Sequence, residues 1–106
     1  MSKKVYIAND HAAVELKQFL MEMFSHIEWV NLGTNSFDSV DYPDFAKKLS
    51  LKLKEDPSAT GVLICGSGQG MSIVANKFKH IRAALCWNEE VAQLAREHND
   101  ANVLCL

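Results

Sequence analysis

Residues 61 to 72, Gly-Val-Leu-Ile-Cys-Gly-Ser-Gly-Gln-Gly-Met-Ser, constrain this chain most, because an apolar run gives way at once to three glycines in five positions. Val62 to Ile64 has no polar alternation, the pattern of a strand covered on both faces of a parallel sheet. Gly66, Gly68 and Gly70 permit a tight turn and let backbone N–H groups approach a ligand. Met71 to Lys77 reads as a helix whose positive dipole end faces that loop. Cys65 therefore stands where a thiol would meet a substrate. A small buried hydrophobe at an ordinary strand-to-helix turn is the plainer reading of the same residue.

The glycines fall as G-x-G-x-G after the third apparent strand, which is not the dinucleotide fingerprint, and they lack the Gly-Lys-Ser/Thr ending of a loop for β- and γ-phosphates. What remains is a short anion cradle, Gly66-Ser67-Gly68-Gln69-Gly70, beside a candidate nucleophile or base. A chain of 106 residues fits one domain. Its net charge of -2 gives no reason to expect nucleic acid or an anionic membrane as partner. The Met-Ser-Lys-Lys start runs straight into a strand pattern, with no signal-peptide core and no apolar run of membrane-spanning length, so a cytoplasmic location is expected. Three cysteines without paired ligand spacing suit a reducing compartment better than a disulfide framework or a zinc site; no metal is expected.

Lys4 to Ala8 forms the first strand and ends in Asn9-Asp10-His11. Leu16, Phe19, Leu20 and Met23 then recur at helical spacing as the buried stripe of an amphipathic helix that Asp10 can cap. Glu28 to Leu32 is a second strand, followed by the turn-rich Gly33-Thr34-Asn35-Ser36. Asp41 caps a helix with Pro43 in its first turn and Phe45, Ala46, Leu49 and Leu53 on its apolar side, while Lys47, Lys48, Lys52 and Lys54 form a solvated face. Ile81 to Cys86 reads as a fourth buried strand. Asn88 caps the next helix, with Val91, Leu94, Ala95 and His98 on one face, and Asn102 to Leu106 begins a fifth strand. Five βα units predict an α/β fold: a three-layer α/β/α, doubly wound, five-stranded parallel sheet, Rossmann-like, with right-handed crossovers. Ligands bind such sheets at the carboxyl ends of the strands, which puts Asp10 and His11 on one rim with Cys65.

Five blocks in order resemble the type B ribose-5-phosphate isomerases, which share a fold with galactose-6-phosphate isomerase subunits. They are Asn9 to Ala12 with Glu15-Leu16-Lys17, Val40 to Asp44, Ile64 to Ser72 with Ala75-Asn76-Lys77, Ile81 to Cys86, and Ala95 to Asn102. The resemblance implies an aldose–ketose isomerase that uses no cofactor, acts on a phosphorylated sugar, and belongs to the pentose phosphate pathway. It assigns the proton shuttle to Cys65, ring opening to His98, and the anion hole to the backbone of Gly66, Ser67, Gly68, Gln69 and Gly70. Asp10 resembles the contact to sugar hydroxyls, His11 the contact to phosphate, Asn99 a further contact and Tyr42 a pocket wall. One branch of the family carries a glutamate base where this chain has Met71, so the cysteine-type assignment applies. Cys86 and Cys105 read as core.

Family members continue past the position of Leu106 into a helix bearing phosphate-binding arginines. The expectation is a single sugar-phosphate isomerase domain, 1–106, lacking that helix, because Arg82 and Arg96 match other family positions. His98 precedes the fifth strand, at the edge opposite Cys65. If it opens the ring, it must come from a neighbouring molecule, which implies a homodimer with shared active sites, or a tetramer. Three other readings stay open: the same chemistry on galactose 6-phosphate or allose 6-phosphate, a catalytically silent sugar-phosphate-binding module, and a structural domain that assembles with a longer partner.

Overall fold

The computed structural model describes residues 4–106. Its strands are β1 (Lys4–Asn9), β2 (Glu28–Asn31), β3 (Thr60–Ile64), β4 (Ala83–Leu85) and β5 (Val103–Cys105), and its helices are α1 (Val14–Met23), α2 (Tyr42–Glu55), α3 (Gln69–Ala75) and α4 (Glu89–Asn99). All strand pairs are parallel, in the order β2-β1-β3-β5-β4. The doubly wound sheet is therefore as expected, with the unalternated β3 at its centre. From β1 the chain steps outward one way to β2, and from β3 it steps the other way to β4. The sheet's topological switch point lies between β1 and β3, the place where open α/β sheets form their ligand crevice.

On one face, Ala46, Leu49 and Leu53 of α2 and Met71 and Ala75 of α3 pack on Tyr6, Ala8, Leu63, Val103 and Cys105. Gly61 lets Leu49 in: a Cβ there would stand 2.7 Å from Leu49 Cδ2. On the other face Ile7, Val62 and Ile64 meet Ala13 of the turn before α1, with Leu20, Met21, Trp29, Leu104 and Leu106 around them. Cover is thinner there. The helix α4 buries no residue, and an apolar groove of about 420 Å³ opens between α1 and α4, walled by Leu20, Phe24, Trp29, Val62, Cys86 and Leu104.

Three expectations need correction. The α1 stripe is turned: Leu16, Phe19 and Met23 are 41%, 52% and 59% exposed, and the helix buries Val14 and Lys17 instead. The sequence carries two apolar stripes on this helix, and the one that reaches the sheet, Ala13, Val14, Leu20 and Met21, is interrupted by a lysine. Asp41 occupies the cap position of α2 but makes no side-chain cap bond. The strand β4 is a half-buried edge strand of three residues, not a buried one of six, because β5 inserts between it and β3. Among the described residues no helix is long and apolar enough to cross a membrane.

Candidate active site

The register of the sheet brings Asp10 and Cys65 side by side. Asn9 pairs with Ile64, and the Asp10 N–H donates to the Ile64 carbonyl at 3.2 Å, so the next residues on each chain leave the sheet together. Along β3, Gly61, Leu63 and Cys65 share one side, and Cys65 is half-buried against the α2/α3 core. The chain then curls over the thiol, and the Gly68 N–H donates to Cys65 Sγ at 3.1 Å. A cysteine whose sulfur accepts a backbone N–H at a strand end is held in one orientation, facing the loop.

The glycines of this loop have different reasons. Gly68 takes a positive φ of 77°, and a Cβ on it would meet Leu85 Cδ1 at 2.7 Å and the Leu106 carbonyl carbon at 2.8 Å, so conformation and space both exclude a side chain. Gly70 lies against the Tyr42 ring, where a Cβ would stand 2.5 Å from Cε1, so Tyr42 walls the loop. Gly66 has open space around its Cβ position and is exposed, so nothing in the packing of the chain requires glycine there. The helix begins at Gln69, two residues before the Met71 start read from the sequence, so Gly70 belongs to the first turn of α3 and the open part of the loop is Cys65 to Gly68. Met71 faces the core with no exposed surface.

Asp10 is largely buried and caps the 3-10 turn at 11–13, its Oδ1 accepting the Ala12 N–H at 3.0 Å. One carboxylate oxygen is thus spent on the fold. Next to it, His11 Nδ1 accepts the Val40 N–H at 3.1 Å, which fixes the ring and leaves Nε2 as the nitrogen able to donate outward. Asp10, His11, Tyr42, Cys65 and the loop from Gly66 to Gly70 therefore form one rim.

His98 and Asn99 are not on it. They end α4, are exposed, and lie at the amino edge of the sheet. Val103 pairs with Gly61, so Asn102 is level with Thr60, five residues before Cys65, or about 16 Å along the strands. The arginines of this edge serve the fold. Arg82 Nε donates to the Asn99 carbonyl at 2.6 Å, and Arg96 Nη1 donates to the Ala101 carbonyl at 2.5 Å. Asn102 closes the connection, its Oδ1 accepting the Arg82 N–H at 2.8 Å and its Nδ2 donating to the His80 carbonyl at 3.0 Å. Side-chain–backbone bonds thus brace the α4–β5 turn and leave the His98 ring outside.

Burial pushes the Cys105 thiol up to about 12, with the Cys65 and Cys86 thiols as lesser causes, and pushes the Cys86 thiol up as well. Both fit the core reading. Among the described residues no group of three His, Cys, Asp or Glu side chains could hold a metal ion. The large groove between α1 and α4 lies on the α1 side of the sheet, Asp10, His11, Tyr42 and Cys65 do not line it, and its walls are mainly apolar, which suits no sugar phosphate. Sequence reading missed two buried polar residues beside the site, Asn9 and Lys17. The signal for Lys17 was its position on the stripe of α1 that continues Ala13 and Val14, which a charged residue disguises.

Residues 5–106 match the family described as Ribose/Galactose Isomerase. A protein of Mycoplasma pneumoniae named "Probable ribose-5-phosphate isomerase B" is 42% identical over 109 residues, an alignment covering 100% of this chain and 72% of that protein. The crystal structure of ribose-5-phosphate isomerase B from Mycoplasma genitalium with bound ribulose 5-phosphate superposes with a TM-score of 0.94 at 44% identity, covering 100% of this chain and 72% of that one. The Clostridium thermocellum ribose-5-phosphate isomerase B structure gives 0.93 at 43% identity, over 97% of this chain and 71% of the other.

Proposed function

Because this chain belongs to the ribose/galactose isomerase family, we propose that it interconverts ribose 5-phosphate and ribulose 5-phosphate at the rim between β1 and β3. The observation that carries this reading is the convergence of Cys65, its bare glycine loop and Asp10 at the switch point of the sheet. In the proposed reaction Cys65, as thiolate, takes the proton from C2 of the open-chain aldose. The electron pair forms the C1–C2 double bond and negative charge moves to O1. Backbone N–H groups of the loop offset that charge, a preorganised arrangement that costs no rearrangement during reaction. The thiol then returns the proton to C1 on the same face, the O2 proton passes to O1, and C2 becomes the carbonyl. Asp10 holds sugar hydroxyls, His11 donates from Nε2 to the phosphate, and Tyr42 closes the wall.

Ring opening falls to His98, with Asn99 as a further contact. A general acid must come within about 3 Å of the proton it moves, and the two edges stand about 16 Å apart. The reading therefore includes a homodimer in which His98 of the partner subunit enters the Cys65 pocket, giving two equal sites by two-fold symmetry. It treats residues 1–106 as one cytoplasmic isomerase domain serving pentose phosphate metabolism, with no cofactor. The test is an isomerase assay of the purified chain on ribose 5-phosphate beside galactose 6-phosphate and allose 6-phosphate. Turnover with the highest kcat/KM on the pentose is expected, and absence of turnover on all three overturns the proposal.

A further inference from the structure

Lys17 has no exposed surface, yet its ammonium has no carboxylate in ion-pair range among the described residues. Nζ donates instead to three neutral oxygens: the Thr34 carbonyl at 2.6 Å, Asn35 Oδ1 at 2.5 Å and Asn31 Oδ1 at 3.3 Å. Burial alone pushes its titration below the ordinary lysine range. A buried charge without a counter-charge is costly, and an apolar side chain of similar size would fill the space at less cost. A cation kept there does something that apolar packing cannot.

What it does is visible in its partners. The Thr34 carbonyl that accepts from Lys17 also accepts from Asn9 Nδ2 at 3.1 Å, and the same Asn9 amide donates to the Asp10 carbonyl at 2.9 Å. Asn9 is itself fully buried. Gly33 lies so close that a Cβ there would overlap Asn9 Oδ1 at 1.9 Å, and that oxygen has no hydrogen-bond partner. The connection from β2 to α2 is therefore clamped at its start by Lys17 and Asn9 and near its end by the Val40 N–H on His11. Between the clamps residues 35–39 are exposed, and after them the chain delivers Tyr42 to Gly70.

We propose that Lys17 is a positioning residue, whose buried ammonium ties the β2–α2 connection to α1 and, through the Thr34 carbonyl it shares with Asn9, to the turn after β1, so that Asp10, His11 and Tyr42 meet the sugar phosphate in one fixed arrangement. The kinetic part rests on the isomerase reading. Its mechanical part does not. A neutral amide has at most two N–H donors, as Asn9 shows, whereas an ammonium with three protons can hold a main-chain carbonyl and two side-chain amides at once.

The test compares Lys17→Met, which keeps the unbranched stem and removes the ammonium, with Leu53→Ala, which weakens the opposite core without touching the connection. Both variants should melt at lower temperature than wild type. Only Lys17→Met should raise KM for ribose 5-phosphate, by about tenfold or more, with kcat changed less than KM, because the groups it places bind substrate and do not move the proton. Hydrogen exchange supplies a readout that needs no turnover: amides of residues 34–41 should exchange faster in Lys17→Met, while those of β3 and α2 keep their protection relative to Leu53→Ala. Asn35→Ala, at an exposed position, covers the case in which Lys17→Met does not fold, and should raise KM by about two- to fivefold with the same local exchange. Unchanged KM and unchanged exchange at 34–41 overturn the proposal, as does loss of protection spread evenly over the sheet. If wild type isomerises none of the sugar phosphates, the isomerase reading fails, and the exchange comparison still decides whether Lys17 clamps the connection.

Discussion

The two edges of the sheet use their polar groups in opposite ways. At the carboxyl edge, the loop from Cys65 to Gly68 leaves backbone bare at Gly66 and bends back only to give the Gly68 N–H to the thiol. At the amino edge, Arg82, Arg96 and Asn102 spend their side chains on main-chain carbonyls and N–H groups, bracing the end of α4. One edge gathers Asp10, His11 and Cys65 on a single rim. The other is a braced platform that displays His98 outward. The contrast teaches that topology alone gathers Asp10 and Cys65 at one edge and leaves His98 exposed at the other.

The sharpest way to break this contrast is at Cys65. Cys65→Ala should lower kcat by about a thousandfold or more, in the upper range for loss of a positioned acid–base group, with circular dichroism unchanged; near-normal kcat would move the base elsewhere. Next in size is complementation between the edges. Cys65→Ala and His98→Asn chains, each inactive alone, should recover about a quarter of wild-type activity per subunit after random mixing, since half the dimers are mixed and each carries one intact site. Mass measurement must confirm the mixed dimers; if they form and stay inactive, the amino edge has no part in the site.

The brace itself can be loosened. Asn102→Ala removes the acceptor for the Arg82 N–H and the donor to His80, and should cost about 1–3 kcal/mol in denaturant unfolding. Activity should fall further than that of an equally destabilised core variant, because the platform of His98 is set loose; an equal fall would reduce the amino edge to scaffolding. The smallest effect belongs to His11→Ala. It should raise KM for the phosphorylated sugar by about tenfold and leave kcat nearly unchanged, because phosphate is bound alike before and during reaction. A drop in kcat at constant KM would instead make His11 part of the proton chemistry.

Much of the carboxyl edge was legible because its signals are local. An unalternated run such as Val62 to Ile64 fits a central strand, Asn88 sits at the cap that the Val91 hydrogen bond bears out, and Asp10 caps the 3-10 turn leading into α1 instead of α1 itself. The facing of α1 was not legible. Period alone allowed either stripe, and the choice fell to what the sheet offers beneath the helix. Lys17 was hidden for the same reason: its partners are a main-chain carbonyl at Thr34 and two asparagines far along the chain, so no charge pattern announces it. The roles of Gly68 and Gly70 were only half legible, since composition shows a glycine but not whether conformation, a tyrosine ring or a ligand demands it.

The differing burial of the three cysteines gives the molecule a built-in stoichiometric label. Cys86 and Cys105 are buried, and burial pushes both thiols up, Cys105 to about 12, whereas Cys65 is only half-buried at the rim. A thiol reagent acts on accessible thiolate. Under native conditions it should therefore consume one equivalent per chain, and three once the chain is denatured. On the proposed assignment of Cys65, that single equivalent counts intact sites in a preparation with no substrate present, and a sugar phosphate seated over Cys65 would be seen as the label's delay.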